Sequence, residues 1–180
     1  MPSTVRNARL VLVGITMLFL ASCTGVPEGI SPVTGFELPR YLGTWHEIAR
    51  LDHSFERGMS QVTAHYALNE DGSVKVTNRG YLDDKQEWKE AIGKAKFVGD
   101  ENIGHLKVSF FGPFYGGYVV YELDHKDYQY AFVTSYNRKY LWLLARDPLI
   151  SDELRSRFVQ QADQLGFDTE ALIWVDHVIH

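Results

Sequence analysis

From residue 40 onward, the chain consists of short runs in which apolar and polar residues alternate with a period of two. This period is typical of half-buried β-strands, and the clusters of Gly, Pro, Asn and Asp between the runs are typical of turns. The pattern predicts eight strands, at 43–50, 61–68, 73–80, 88–98, 105–111, 117–123, 128–135 and 140–146. No helical period lies between them, so we predict an all-β fold in which eight antiparallel strands run up and down and close into a β-barrel.

The period changes to that of a helix after the eighth strand. Apolar residues then recur at steps of four and three, at Leu154, Phe158, Ala162 and Leu165. Ser151 is a favourable N-cap residue, and Gly166 is a residue type that commonly ends a helix. We therefore predict one C-terminal helix at about 152–165, packed against the barrel wall, and a final extended segment at 172–175 beside the first strand.

The alternation also predicts which side chains point into the barrel. Successive side chains of a strand lie on opposite faces, so Glu47 and Ala49 should point inward together with Trp45. The other predicted inward positions are Val62, Ala64, Tyr66, Val74, Val76, Asn78, Gly93, Ala95, Phe97, Leu106, Val108, Phe110, Trp142, Leu144 and Arg146. This set is mostly apolar, and its small members leave space, so the interior suits an acyl chain or another lipophilic ligand.

Composition and charge narrow the class of protein. The chain has 180 residues, enough for one well-buried domain, and its ten Tyr, ten Phe and four Trp favour a β-rich protein with a cavity. The formal net charge is −5 and falls to −7 without Arg6 and Arg9, the two charged residues among the first 22. An acidic chain of this kind lacks the basic face of a nucleic-acid-binding protein, so we exclude that class.

The first 22 residues have the organisation of an export signal. Arg6 and Arg9 precede an apolar run of 11 residues, Leu10 to Leu20, which is too short to span a membrane as a stable helix. The sequence Leu20-Ala21-Ser22-Cys23 resembles the bacterial lipobox. This resemblance implies cleavage before Cys23, a diacylglycerol on its sulfur and an acylated new amino terminus.

Cys23 is the one cysteine of the chain, so no internal disulfide stabilises the fold. Thr24 follows it where an inner-membrane retention signal would place Asp, and the resemblance therefore implies the outer membrane, on its periplasmic face. Residues 23–37 comprise the amino terminus that the resemblance implies to be acylated, and their richness in Gly, Pro, Ser and Thr predicts a flexible tether. The barrel domain is predicted to occupy residues 38–180.

Two separated motifs of the body resemble the lipocalin signature. They are Gly43-Thr44-Trp45, at the start of the first strand, and Arg146, at the end of the eighth. The wider segments at 41–58, 106–118 and 150–175 resemble the bacterial outer-membrane lipoprotein lipocalins. The resemblance implies fatty acids or lysophospholipids as ligands, and a role in membrane maintenance or in lipid movement under envelope stress.

Up-and-down strands place Trp45 and Arg146 at the same end of the barrel. There the guanidinium can stack on the indole, a cation–π contact that contributes about 0.5–2 kcal/mol, so we assign Gly43, Trp45 and Arg146 to barrel closure rather than to ligand contact. The opposite, open end collects the loops at 52–60, 81–87, 112–116 and 136–139. The candidate ligand contacts are Trp142, Tyr115, Tyr66, Phe110 and Leu144.

Three polar candidates each keep a functional and a structural interpretation. Arg138 and Lys139 either meet an anionic head group at the mouth or form an ordinary charged turn. Glu47 either contacts a polar ligand group, or acts as an acid, or is hydrogen-bonded to a neighbouring Tyr or Arg. The predicted function is a non-enzymatic lipid-binding lipoprotein without metal or cofactor; the alternatives are an enzyme acting on a lipophilic substrate and a structural envelope lipoprotein. A homodimer is left open.

Overall fold

The computed structural model describes residues 23–177, so the predicted signal peptide at 1–22 lies outside the described residues. Its eight main strands are β1 (Gly43–Arg50), β2 (Met59–Leu68), β3 (Val74–Leu82), β4 (Glu87–Phe97), β5 (His105–Phe111), β6 (Phe114–Leu123), β7 (Tyr130–Thr134) and β8 (Leu141–Ala145). Each is antiparallel to the next, and β1 pairs with both β2 and β8. The predicted closed up-and-down barrel is thereby confirmed.

Short elements complete the fold at both ends of the chain. They are helix α1 (Leu38–Tyr41), helix α2 (Asp152–Gln164), a 3₁₀ turn (Thr169–Ala171) and strand β9 (Ile173–Trp174). The hydroxyl of Ser151 caps α2 by accepting a hydrogen bond from the Leu154 N–H at 3.2 Å. Strand β9 pairs with the end of β1, as the sequence predicted. Within residues 23–177, no helix is long and apolar enough to span a membrane.

Apolar side chains form two separate clusters, one inside the barrel and one outside it. The inner cluster includes Trp45 and Leu144, and the outer cluster joins Phe132 and Leu143 to Phe158 on α2. Strand β8 contributes to both clusters because its successive side chains alternate between the two faces. Helix α2 therefore covers the outer wall of the barrel and leaves the interior open to a ligand.

A β-bulge in β1 corrects one predicted inward residue. Glu47 lies opposite Leu144, but the next pair is Ala49 with Leu143, so the register shifts by one residue between them. The extra residue reverses the alternation beyond it. Ala49 consequently lies in the outer cluster rather than in the cavity, and Arg50 is buried in its place.

The predicted flexible tether is also corrected, because residues 23–37 pack along the barrel. The N–H of Val33 donates to the carbonyl of Val120 at 2.8 Å, and the N–H of Phe36 donates to that of Asn102 at 3.0 Å. Ile30 and Phe36 are buried. The Gly- and Pro-rich composition therefore marks an extended segment held by backbone hydrogen bonds, not a freely moving one.

Candidate ligand-binding cavity

The barrel encloses an inner chamber of about 100 Å³. Four of the five predicted ligand contacts, Tyr66, Phe110, Trp142 and Leu144, line it. Most of the remaining wall is apolar, and eight of its residues are predicted inward positions of β2 to β5. The chamber therefore offers contact to a hydrocarbon chain and very few polar groups.

A wider outer chamber of about 790 Å³ continues the cavity to the open end. Phe55, Phe110 and Trp142 line both chambers, so the two are continuous. Tyr115, the fifth predicted contact, lines only the outer chamber, and its ring lies 5.2 Å from the Lys107 ammonium. The outer volume by itself is within the range of about 300–1,000 Å³ that is usual for ligand pockets.

Cys23, the predicted lipidation site, lies at the mouth of the outer chamber. Its carbonyl accepts a hydrogen bond from the N–H of Gly117 at 2.6 Å, and the residue is exposed. Two aromatic side chains of the β5–β6 turn stand on the same rim, with Phe111 83% and Phe114 79% exposed. The described chain thus begins beside the opening of the cavity and beside its most apolar edge.

The opposite end is closed by Trp45 and Arg146, which stack as predicted. The Arg146 guanidinium lies 3.9 Å from the centre of the Trp45 ring and donates to the carbonyls of Thr44 at 2.9 Å and Arg40 at 2.8 Å. Gly43 has φ +94, and a Cβ there would lie 3.4 Å from Arg146 Nη1. Only glycine combines that backbone conformation with such a close approach of the guanidinium.

Three tyrosine hydroxyls meet on the floor of the inner chamber. The hydroxyl of Tyr118 lies 2.7 Å from that of Tyr41 and 2.9 Å from that of Tyr66. All three residues line the chamber. Burial raises the pKa of each phenol above its ordinary value, so all three stay neutral and keep their protons at physiological pH.

A second polar cluster lies where the two chambers meet. Arg50 Nη1 donates to Glu47 Oε1 at 2.8 Å, and Trp142 Nε1 donates to Glu56 Oε2 at 3.3 Å. Burial raises the pKa of Glu47, and the charge of Glu56 raises it further. Burial alone would raise the pKa of Glu56 as well, but its contacts with His53, Glu47 and Trp142 outweigh burial and lower it. Of the two neighbouring acids, Glu47 therefore holds its proton more tightly than Glu56 does.

The two basic residues predicted for the mouth lie elsewhere. Arg138 Nε donates to the carbonyl of Leu165 at 2.6 Å, and its Nη2 donates to that of Glu28, so this side chain joins the β7–β8 loop to α2 and to the amino-terminal segment. Lys139 is exposed, and neither residue lines a chamber within the described part of the chain. The loop lies next to the mouth, where Tyr136 lines the outer chamber, but Arg138 is held by Leu165 and Glu28, so the described contacts do not support a head-group role for this pair.

Other basic residues line the outer chamber, and the sequence analysis missed them. They are Arg57, Arg79 and Lys89. Arg57 pairs with Asp52 at 2.7 Å, and Lys89 pairs with Glu87 at 2.8 Å. Nothing in the sequence distinguishes these three from other surface basic residues, because only the folded barrel brings them to the wall of the outer chamber.

The comparisons with known proteins agree with this architecture. The family model described as "Lipocalin-like domain" matches residues 36–177. "Outer membrane lipoprotein Blc" of Vibrio cholerae is 53% identical over 93% of this chain and 98% of its own length. The protein of the same name from Escherichia coli K12 is 46% identical over 92% of this chain and 94% of its own. The solved structure of insecticyanin from Manduca sexta superposes with a TM-score of 0.67 at 21% identity, covering 84% of this chain and 86% of that one, and shows the fold alone.

Proposed function

This chain belongs to the lipocalin family and is a lipid-binding outer-membrane lipoprotein, and we propose that its ligand is a single-chain lipid, a fatty acid or a lysophospholipid. In this proposal the acylated Cys23 anchors the protein on the periplasmic face of the outer membrane. The barrel then holds or carries lipid for membrane maintenance or the response to envelope stress.

The continuous apolar path from the mouth to the floor carries this proposal. Each methylene moved from water into such a path contributes about 0.8 kcal/mol, so a chain of sixteen carbons gains roughly 12 kcal/mol. The cost of association offsets about 4–15 kcal/mol of this gain. Micromolar or tighter binding is therefore compatible with the geometry.

The position of Cys23 supports a direct exchange of lipid between the cavity and the membrane. Cys23, Phe111 and Phe114 lie around the same opening. Acyl chains on Cys23 draw this end of the barrel toward the bilayer, and two exposed aromatic rings suit its interface. A lipid then passes between leaflet and cavity without crossing bulk water.

We propose binding rather than catalysis. Glu47 is the strongest acid candidate of the cavity, and its carboxyl group is hydrogen-bonded to Arg50 and to Glu56. Those contacts support the structural interpretation of Glu47, as a partner of the neighbouring Arg, over the role of an acid that must meet a substrate.

Native mass spectrometry of the mature protein from outer membranes tests the proposal. We expect complexes with one bound fatty acid or lysophospholipid, and Trp142→Ala should retain less of either because it removes apolar contact inside the cavity. Trp174→Ala is the matched control, since Trp174 packs against Phe158 and Arg155 outside the barrel. A protein that carries no lipid and binds none when titrated would favour the structural envelope lipoprotein instead.

A further inference from the structure

The three hydroxyls on the chamber floor have one more donor than they use. Tyr41, Tyr66 and Tyr118 carry three O–H protons, and the two contacts at 2.7 Å and 2.9 Å consume two of them. This count holds whichever oxygen donates in each contact. Among residues 23–177, one O–H of the three therefore remains without an acceptor in a buried place, where a donor left unsatisfied costs about 1–3 kcal/mol.

The surroundings direct this donor into the cavity. Phe36 packs against Tyr41 with 5.0 Å between the ring centres, and the apolar Leu38 and Leu106 line the same chamber. Trp45 Nε1 donates to the carbonyl of Tyr41 at 2.7 Å, and Arg146 stacks on the Trp45 indole and donates to backbone carbonyls, so both nearby side chains are donors rather than acceptors. No residue among 23–177 is hydrogen-bonded to this third O–H, so an oxygen of a molecule in the chamber can serve as its acceptor.

We propose that the tyrosine triad is a hydrogen-bond-donating subsite for the compact oxygen end of a single-chain lipid, the carboxyl group of a fatty acid or the hydroxyl of a fatty alcohol. Such a lipid lies with its polar end on the floor and its chain directed to the mouth. This inference rests on the proposed lipid-binding function and adds to it the orientation and the chemical class of the preferred ligand.

The size of the inner chamber separates two classes of lipid. About 100 Å³ accommodates a carboxyl or hydroxyl end with the adjoining methylenes, whereas a glycerophosphate head group needs the outer chamber of about 790 Å³. Lysophospholipids therefore bind in the opposite direction, with the methyl end of the chain on the floor. Their affinity should not depend on the triad.

The first test replaces all three hydroxyls at once, Tyr41→Phe with Tyr66→Phe and Tyr118→Phe. Substituting every partner of the cluster by apolar groups of the same shape keeps the fold, because no hydroxyl is left orphaned. The protein is the mature chain 23–180 with Cys23→Ser in every variant, and the readout is displacement of a fluorescent probe. We expect lauric acid and dodecanol to bind about tenfold more weakly to the triple variant, with dodecane and a lysophospholipid unchanged.

Tyr121→Phe is the matched control. Its hydroxyl is also buried and has no hydrogen-bond partner within residues 23–177, but the ring packs between Phe132 and Phe167 outside the barrel. This variant should bind all four ligands like the wild type. Equal affinities of the triple variant and the wild type for lauric acid and dodecanol would overturn the subsite while leaving the carrier function intact. A wild type that binds none of the four ligands contradicts the proposed function itself.

Carbon-13 NMR of carboxyl-labelled lauric acid gives the orientation directly. With its polar end on the floor, the bound carboxyl signal should not titrate with the pH of the buffer and should not broaden with a water-soluble gadolinium chelate. In the triple variant, the bound carboxyl signal should both titrate with the pH of the buffer and broaden with the gadolinium chelate. A wild-type signal that titrates and broadens like the free acid places the carboxyl at the mouth and rejects the proposal.

Discussion

Arg146, just beyond the last strand of the barrel, lies 3.9 Å from the ring of Trp45 at the start of the first. The guanidinium also donates to the carbonyls of Arg40 and Leu42, at 2.8 Å and 2.9 Å. One side chain therefore ties α1, β1 and the end of β8 together at the closed end. Residues so far apart in sequence meet here only when the barrel is complete.

Removing either partner should cost stability rather than affinity. Trp45→Ala is expected to lower the free energy of unfolding by about 3–5 kcal/mol, the usual range for a buried Trp. Arg146→Ala should also destabilise, because four backbone carbonyls lose a charged donor. Urea unfolding and lipid titration of the folded fraction measure both effects. Normal unfolding with abolished binding would instead place Trp45 among the ligand contacts.

Cys23→Ser tests the anchor. Without the thiol there is no acylation, so the chain should remain as an unprocessed precursor or become soluble. Fractionation of membranes and the intact mass distinguish these outcomes. The lipoprotein assignment fails if the variant still fractionates with membranes and the wild-type mature mass contains no lipid.

Arg138→Ala should loosen the amino-terminal segment. Its guanidinium bridges the carbonyls of Leu165 and Glu28, so we expect a loss of about 1–3 kcal/mol and faster hydrogen exchange over residues 24–30. Lys139→Ala is the adjacent control, because Lys139 is exposed. The double variant should bind a fatty acid and its neutral alcohol with the same ratio as the wild type. A selective loss of the anionic ligand would restore the head-group role.

Glu47→Gln should make the protein more stable than the wild type at alkaline pH. The raised pKa of Glu47 in the folded state means that its contribution is complete below about 4.5, the ordinary value, and is lost as the pH rises through the raised pKa. Glutamine imitates the protonated acid and does not titrate. Urea unfolding between pH 4 and 9 should show the two proteins diverging with a slope of up to about 1.4 kcal/mol per pH unit. Parallel curves would mean that Glu47 is ionised.

The sequence predicted the barrel well because its determinants are local and repetitive. Alternation places Trp142 and Leu144 inside, and the structure confirms them there. The prediction for Ala49 was wrong because a bulge adds one residue without any sequence mark, and every position beyond it changes face. Periodicity therefore predicts the inward face of a regular strand but loses it beyond an irregularity.

The polar features of the cavity depended on tertiary contacts that composition does not reveal. Tyr41 lies outside the strands, and only the folded floor brings it within 2.7 Å of Tyr118. The head-group prediction for Arg138 found no support because a loop position says where a backbone is, not which carbonyls its long side chain reaches. The prediction for the amino-terminal segment failed because Gly and Pro suit both a free linker and an extended segment that packs.

The docked amino-terminal segment limits how far the barrel can travel. A free chain of the 15 residues from 23 to 37 would allow a root-mean-square separation of about 20 Å between the anchor and the domain. Backbone hydrogen bonds at Cys23, Val33 and Phe36 hold this segment against the barrel and prevent nearly all of that separation. With the proposed acyl chains on Cys23, we therefore expect the barrel to stay beside the leaflet that holds them rather than to move across the compartment.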